Sequence, residues 1–341
     1  MLIDTHTHVV PDTFPTNKNN SLWPIMKHSS KGTADVMINN SNFRTITDKA
    51  WSVPNRLSEM DKNQVTQQVL SPMPELLSYW FTDNDGDQIC DYINDFIASM
   101  VTQNPERFIG LGIVPLQNIE MAIRSLKKIK DLGLKGVEIG SNINGLSLGD
   151  KRFFSFFKEL ESLDLCVFIH ALHPTFAERI TTSQNSLPTA INAIGFPTDV
   201  GLTAASLITS GLLEKQKDLR ILLSHGGGTL PSILPRLNHA WSRTWNELSE
   251  DNEGPNNLLR ENLPNSPLSY GRSFFYDTLV FHKKTIEYLI ELLTVDSLTI
   301  GTDFPFLKTE TPVGKTINSM ALQGLDLQKI QMLNAQKWLK V

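Results

Sequence analysis

The sequence predicts an α/β fold, a (β/α)8 TIM-type barrel, and two observations carry that expectation. Eight short runs rich in Val, Ile, Leu and Phe alternate with longer stretches of helical periodicity, the order expected when strands pair in parallel and helices cover them. Among them are the runs that lead into His6-x-His8, His170, His225 and Asp303. In a parallel barrel all the C-terminal strand ends share one face, so such residues would meet despite their distance in sequence.

The first run, Leu2 to Thr5, leads into His6-Thr7-His8. Side chains alternate between the faces of a strand, so His6 and His8 point the same way and can reach one metal ion together. Further strands are expected at Gln68 to Ser71, Phe108 to Ile113, Gly136 to Ile139, Cys166 to Ile169, Arg220 to Ser224, Phe274 to Tyr276 and Ser297 to Ile300. Between them the patterns predict helices at Gly86 to Gln103, Ile119 to Leu132, Lys151 to Ser162, Pro197 to Leu213, Leu230 to Leu248 and Lys283 to Leu293, and a closing helix at Asp326 to Leu339. Asp150 suits an N-cap, and His282 precedes another helical pattern. Within a single domain spanning residues 1–341, the polar segment 14–51 is expected to form a small inserted subdomain or lid after the first strand, with a turn at Ser30-Lys31-Gly32. Thr244 to Arg272 is expected to be a long loop or a short irregular excursion.

With 341 residues, 40% hydrophobic and 20% charged, the chain is an ordinary globular one, long enough for one large barrel. A formal charge of −5 and a pI near 5.9 leave no basic face for nucleic acid or an anionic membrane. No apolar run reads as long enough to cross a bilayer, and the start lacks the pattern of a signal peptide, so a cytoplasmic protein is expected. Cys90 and Cys166 form no Cys-x-x-Cys unit and are expected to be reduced core thiols.

The remaining ligand candidates are His170 after Cys166 to Ile169, His225 after Ile221 to Ser224, and Asp303 after Ser297 to Thr302. Imidazole nitrogens with an aspartate oxygen suit zinc or a similar divalent ion and leave room for a water. His173 is the alternative to His170. His170 is preferred because it ends its apolar run directly, and His173 is then a pocket-lining residue. Gly226-Gly227-Gly228 lacks the Lys-Ser/Thr of a phosphate loop and reads instead as a tight turn near the metal pocket.

Together, His6-x-His8, His170, His225-Gly226-Gly227-Gly228 and Gly301-Thr302-Asp303-Phe304-Pro305-Phe306 resemble the decarboxylase branch of the amidohydrolase superfamily. Within it the chain is similar to the 2-amino-3-carboxymuconate-6-semialdehyde decarboxylases, also through Asn42-Phe43-Arg44, Arg56 to Asp61, and Leu234 to Trp241. The resemblance implies that His6, His8, His170 and Asp303 hold one divalent ion, zinc with manganese as the alternative, and that His225 handles protons. It also implies that Arg44 and Arg236 hold substrate carboxylates, the second reaching in from a neighbouring subunit, so a homodimer is expected. Phe306 is expected to touch substrate. Guanidinium groups grip carboxylates bidentately, which suits a small anionic carboxylic acid.

One departure bears on the substrate. Where the resembling decarboxylases carry Pro-Trp-Asp-Met after the fifth-strand histidine, this chain reads His170-Ala171-Leu172-His173-Pro174-Thr175, and an aromatic wall of the pocket is missing. The expected activity is cofactor-free, metal-dependent decarboxylation of a small unsaturated or aromatic acid. A hydrolase of an amide or lactone, using the same ion, is the alternative, and a non-catalytic metal-binding homologue is a second.

Overall fold

The computed structural model describes residues 1–180, 187–242, 256–307, 310–322 and 324–341. Eight strands pair in parallel in chain order: Ile3–Val9, Gln67–Pro72, Phe108–Gly112, Gly136–Gly140, Cys166–His170, Ile221–Leu223, Phe275–Asp277 and Leu298–Thr299. The last strand returns to the first, since Thr5 N donates to Ile300 O at 2.8 Å and His8 N to Phe304 O at 2.7 Å. These bonds close the sheet into a (β/α)8 barrel with no free edge.

Each expected strand is present, with boundaries displaced by at most four residues. The largest difference is in the first, which continues through His6-Thr7-His8 to Val9 because its polar side chains face the buried barrel interior. Helices at Asp83–Gln103, Ile119–Asp131, Phe154–Ser162, Phe196–Thr209 and Lys283–Leu293 cover the barrel. Side chains satisfy their first turns: Thr82 accepts from Asp85 N, Asn118 from Met121 N and His282 Nδ1 from Lys284 N. Asp150 caps a short 3-10 turn by accepting from Arg152 N.

The barrel interior is filled by Ile3, Val69, Leu111, Cys166, Phe168 and Leu222. Trp338, from the closing helical segment, packs against them and donates Nε1–H to Val167 O, which seals the N-terminal end of the barrel. Chemistry is thereby confined to the opposite end. After the first strand, residues Ile25–His28, Thr33–Ile38 and Ser41–Thr47 form a three-stranded antiparallel sheet. Its last strand delivers Arg44 to Thr47 to the mouth of the barrel.

Two expectations need correction. In place of a long loop, the described part of 244–272 contains helices at Asn256–Asn262 and Pro267–Gly271; residues 243–255, with the end of the helix expected to reach Leu248, lie outside the described residues. The reading that no stretch is apolar and long enough to cross a bilayer also fails, because the 23-residue helical stretch Leu187–Thr209 is long and apolar enough by length and composition. Its apolar character has a packing cause: Val200, Ala204, Leu207 and Ile208 are buried. Asp199 within it accepts hydrogen bonds from Ser141 and Asn142.

Candidate metal centre

His6 and His8 lie on the first barrel strand, His170 ends the fifth, and Asp303 follows the eighth. One ligand atom from each falls within 4.8 Å of all the others. His6 Nε2 is 3.1 Å from His8 Nε2, and Asp303 Oδ1 lies 3.1 Å from His8 Nε2 and 3.7 Å from His6 Nε2. The three histidines are almost completely buried. Phe168 forms a floor under His6, with ring centroids 4.9 Å apart.

Hydrogen bonding fixes which nitrogen of each ring carries the proton. His6 Nδ1 is 2.7 Å from Asp277 Oδ2, His8 Nδ1 is 2.8 Å from Pro72 O, and His170 Nδ1 is 2.8 Å from Ala171 O. A carboxylate and two carbonyls can only accept, so each Nδ1 donates and each Nε2 presents a lone pair. Two lone pairs facing each other at 3.1 Å call for a shared cation. Among the described residues His170 Nε2, fully buried, has no hydrogen-bond partner. Both features fit a divalent ion held by three imidazoles and one carboxylate.

Electrostatics agree with that donor set at Asp303 and His170. At His6, burial pushes the imidazole down, but the Asp277 hydrogen bond and the charges of Asp277 and Asp303 outweigh it and raise it. Burial pushes the Asp303 carboxyl up, but the His8 hydrogen bond and the charges of His6, His8 and His170 outweigh it and hold Asp303 well below the usual carboxylate range. Burial, reinforced by the neighbouring His8, His6 and His225, pushes His170 far down and leaves it neutral. A neutral imidazole and an ionised carboxylate are the ligand forms of each group.

His225 stands beside this set, its ring centroid 5.2 Å from His170 and 5.5 Å from His6. Its backbone lies at φ +55°, the left-handed region, and Gly226, Gly227 and Gly228 follow at +62°, +74° and +58°. A Cβ on Gly228 would meet Pro197 O at 1.8 Å, so only glycine fits that position. Asp277 holds the turn by accepting from His225 N at 3.0 Å and Gly226 N at 2.8 Å. Burial, then His6, push the His225 imidazole down to about 4 against the pull of Asp277 and Asp303.

Above the centre lies a cavity of about 280 Å³ lined by Arg44, Glu75, His170, Phe196, Asp303 and Phe306, among others. Phe306 stacks with His8, ring centroids 5.4 Å apart, and the Arg44 guanidinium lies 4.5 Å from its ring centroid. Arg236 is not brought to this cavity within the chain; it is exposed on the helix Leu230–Ser242. His173 points elsewhere too, exposed and with its ring 5.1 Å from that of Trp80.

The amidohydrolase family matches residues 3–340 of the sequence. The chain belongs to that family. It is 34% identical over 322 residues to the 2-amino-3-carboxymuconate-6-semialdehyde decarboxylase of Dictyostelium discoideum, covering 93% of this chain and 85% of that protein. It is 25% identical over 334 residues to a gamma-resorcylate decarboxylase of Polaromonas sp., covering 91% and 96%. Among solved structures, a dihydroxybenzoic acid decarboxylase from Polaromonas sp., with bound manganese and 2-nitroresorcinol, superimposes with a TM-score of 0.77 at 22% identity, covering 99% of this chain and 96% of that one. The chain thus lies on the decarboxylase branch of the amidohydrolase superfamily.

Three polar residues of this amidohydrolase site were not anticipated from sequence. Asp277 ends the run Phe274-Phe275-Tyr276, the same signal that marked His170 and Asp303. Glu138 is buried 3.8 Å from His8 Nδ1, and burial pushes its carboxyl well above the usual range. Glu75 follows the second barrel strand at Pro74. Glu138 stands between Val137 and Ile139 inside an expected barrel strand, a signal that points to burial, whereas Glu75 has no sequence signature that separates it from a solvated glutamate.

Proposed function

We propose that this carboxy-lyase releases carbon dioxide from a small unsaturated or aromatic acid bound in the cavity above His6, His8, His170 and Asp303, with 2-amino-3-carboxymuconate-6-semialdehyde the first candidate. The observation that carries the reading is the convergence of three Nε2 lone pairs and a carboxylate beneath a cavity whose wall holds a guanidinium. Those four residues would hold the ion, with zinc preferred for its nitrogen-rich donor set and manganese the alternative. When bound, the ion would polarise a substrate oxygen and lower the pKa of a water.

The chain's own residues supply the rest. Arg44, braced on Phe306, pairs with a carboxylate that stays on the substrate and so fixes its orientation. As the bond to the departing carboxyl breaks, its electron pair stays on the ring or chain carbon. His225 takes up a proton from solvent and passes it to that carbon through Nε2, because its Nδ1 is engaged by Ser224 Oγ at 3.2 Å. Arg236, exposed on its own chain, is suited to complete the site of a second copy in a homodimer.

The test is a panel of carboxymuconate semialdehyde, hydroxybenzoates and model lactones given to metal-loaded protein, with carbon dioxide and acid measured in parallel. Carbon dioxide from at least one acid is expected. Acid release from a lactone with no carbon dioxide from any acid would replace decarboxylation by hydrolysis.

A further inference from the structure

Asp303 lies where the sheet no longer holds it. The eighth strand ends at Thr299, and Asp303 follows off the ladder at φ +59°, so no strand pairing fixes its side chain. Just beyond it, the first strand is joined to this segment by the backbone bond from His8 N to Phe304 O. At that seam sits the guanidinium of Arg56, fully buried and, among the described residues, bonded only to neutral acceptors. Nε donates to Gln68 Oε1 at 2.8 Å, Nη1 to His8 O at 2.9 Å and Lys49 O at 3.0 Å, and Nη2 to Thr7 Oγ1 at 2.8 Å. Its Cζ lies 4.8 Å from the ring centroid of Phe304. A guanidinium taken out of water without a carboxylate partner is costly. Of the residues it touches, His8 is a candidate ligand, and Thr7 and Phe304 each adjoin one.

We propose that Arg56 is a positioning residue of the metal centre, a clamp across His8 and Phe304 that holds the ligands His8 and Asp303 at their separation. The inference rests on the reading that His6, His8, His170 and Asp303 hold the ion. A guanidinium can bond several acceptors in divergent directions and meet an aromatic ring at the same time. Lysine, with three donors at one point, cannot reach Gln68, His8, Lys49 and Thr7 together. Without the clamp, His8 Nε2 and Asp303 Oδ1, 3.1 Å apart, are free to separate, and metal affinity depends on ligands being held in place by the groups behind them. The same fork reaches the inserted sheet. Lys49 lies in the 3-10 turn Asp48–Ala50, directly after the strand Ser41–Thr47 that bears Arg44, so Arg56 also ties the wall of the substrate cavity to the ligands beneath it.

Cobalt(II) titrated into metal-free protein tests this, because its visible absorption reports ligand number and angle, while thermal melts of the metal-free protein report the fold. Arg56→Lys should lower cobalt affinity about tenfold or more and shift the absorption bands. Phe304→Leu, which removes the ring and keeps the backbone bond to His8, should do the same to a smaller extent, and the double variant should lose less than the product of the two because both act through one clamp. Asp164→Asn, at the opposite end of the barrel, calibrates lost stability alone and should leave affinity and spectrum unchanged. Arg56→Lys with the affinity and spectrum of the wild type, whatever its melting temperature, would overturn the role of Arg56. Should that variant fail to fold, Phe304→Leu decides, and unchanged cobalt binding there would overturn the clamp. Wild-type protein that takes up no cobalt would overturn the metal centre and this role with it, a failure distinct from normal uptake by indifferent variants.

Discussion

Replacing Asp277 by Asn should loosen the metal centre without altering a single ligand atom. The carboxylate is fully buried and accepts four hydrogen bonds: Oδ2 from His6 Nδ1 at 2.7 Å and His225 N at 3.0 Å, Oδ1 from Gly226 N at 2.8 Å and Leu279 N at 3.1 Å. An amide NH2 placed at either oxygen faces two N–H donors, so both bonds at that position are lost, or one is lost and the His6 bond reversed, depending on how it sits. Turned toward His6, the amide donates to Nδ1 and moves the ring proton to Nε2, the atom that faces the ion. Turned the other way, it leaves two backbone N–H groups without an acceptor beside the left-handed turn at His225 and Gly226. A charge-assisted bond contributes about 1.5 to 3 kcal/mol, and two in one network do not add fully, so metal affinity should fall about 10- to 100-fold. Competition titration against a chromophoric chelator measures this, with circular dichroism confirming that the barrel is intact. A variant that binds metal within about twofold of wild type would refute the claim that Asp277 sets the His6 tautomer.

The other expectations concern proton transfer, the neighbouring subunit and acid stability. His225→Ala should retain about one metal per chain while turnover falls roughly a hundredfold or more, and parallel loss of metal would make His225 a ligand instead. Arg236→Ala should raise KM and lower turnover with metal retained; mixed with inactive His225→Ala it should regain some activity, and no recovery despite confirmed subunit exchange would show that Arg236 serves its own chain. Lys340, 2.7 Å away, and Arg220 hold the Asp164 carboxyl below its ordinary range. A depressed carboxyl stabilises the fold above its unfolded pKa of about 3.9 and loses that contribution as the pH falls through the folded value. Asp164→Asn should therefore lower the melting temperature at pH 7 and hardly at all near pH 2, as thermal melts across that range would show.

The convergence of His6, His8, His170 and Asp303 was legible because strand period and run endings are both written locally. His-x-His forces two imidazoles onto one face, and a buried strand that stops at His170 marks its C-terminal end. His173, three residues later, has lost the strand and sits at φ +41° in the exposed loop. Asp277 carries the same signal in Phe274-Phe275-Tyr276-Asp277, and no physical obstacle hides it. Glu75 was hidden in earnest, since its burial is decided by what packs over it and not by its neighbours in sequence, whereas Glu138 sits inside an expected barrel strand. The inserted sheet was half readable: Val36-Met37-Ile38 has the apolar run of a strand, whereas Ser41–Thr47 is exposed along most of its length and lacks an alternating pattern. The bilayer expectation failed because a barrel-covering helix, buried on one side, reaches the hydropathy of a spanning one.

Carbon dioxide release by one preparation before chelation, after it, and after the divalent ion is restored bears most directly on metal-dependent decarboxylation at His6, His8, His170 and Asp303. Release should stop when the metal is removed and return at about one ion per chain, and His6→Ala or Asp303→Ala should lose both metal and release. Full release from metal-free protein, or from either variant, would contradict it.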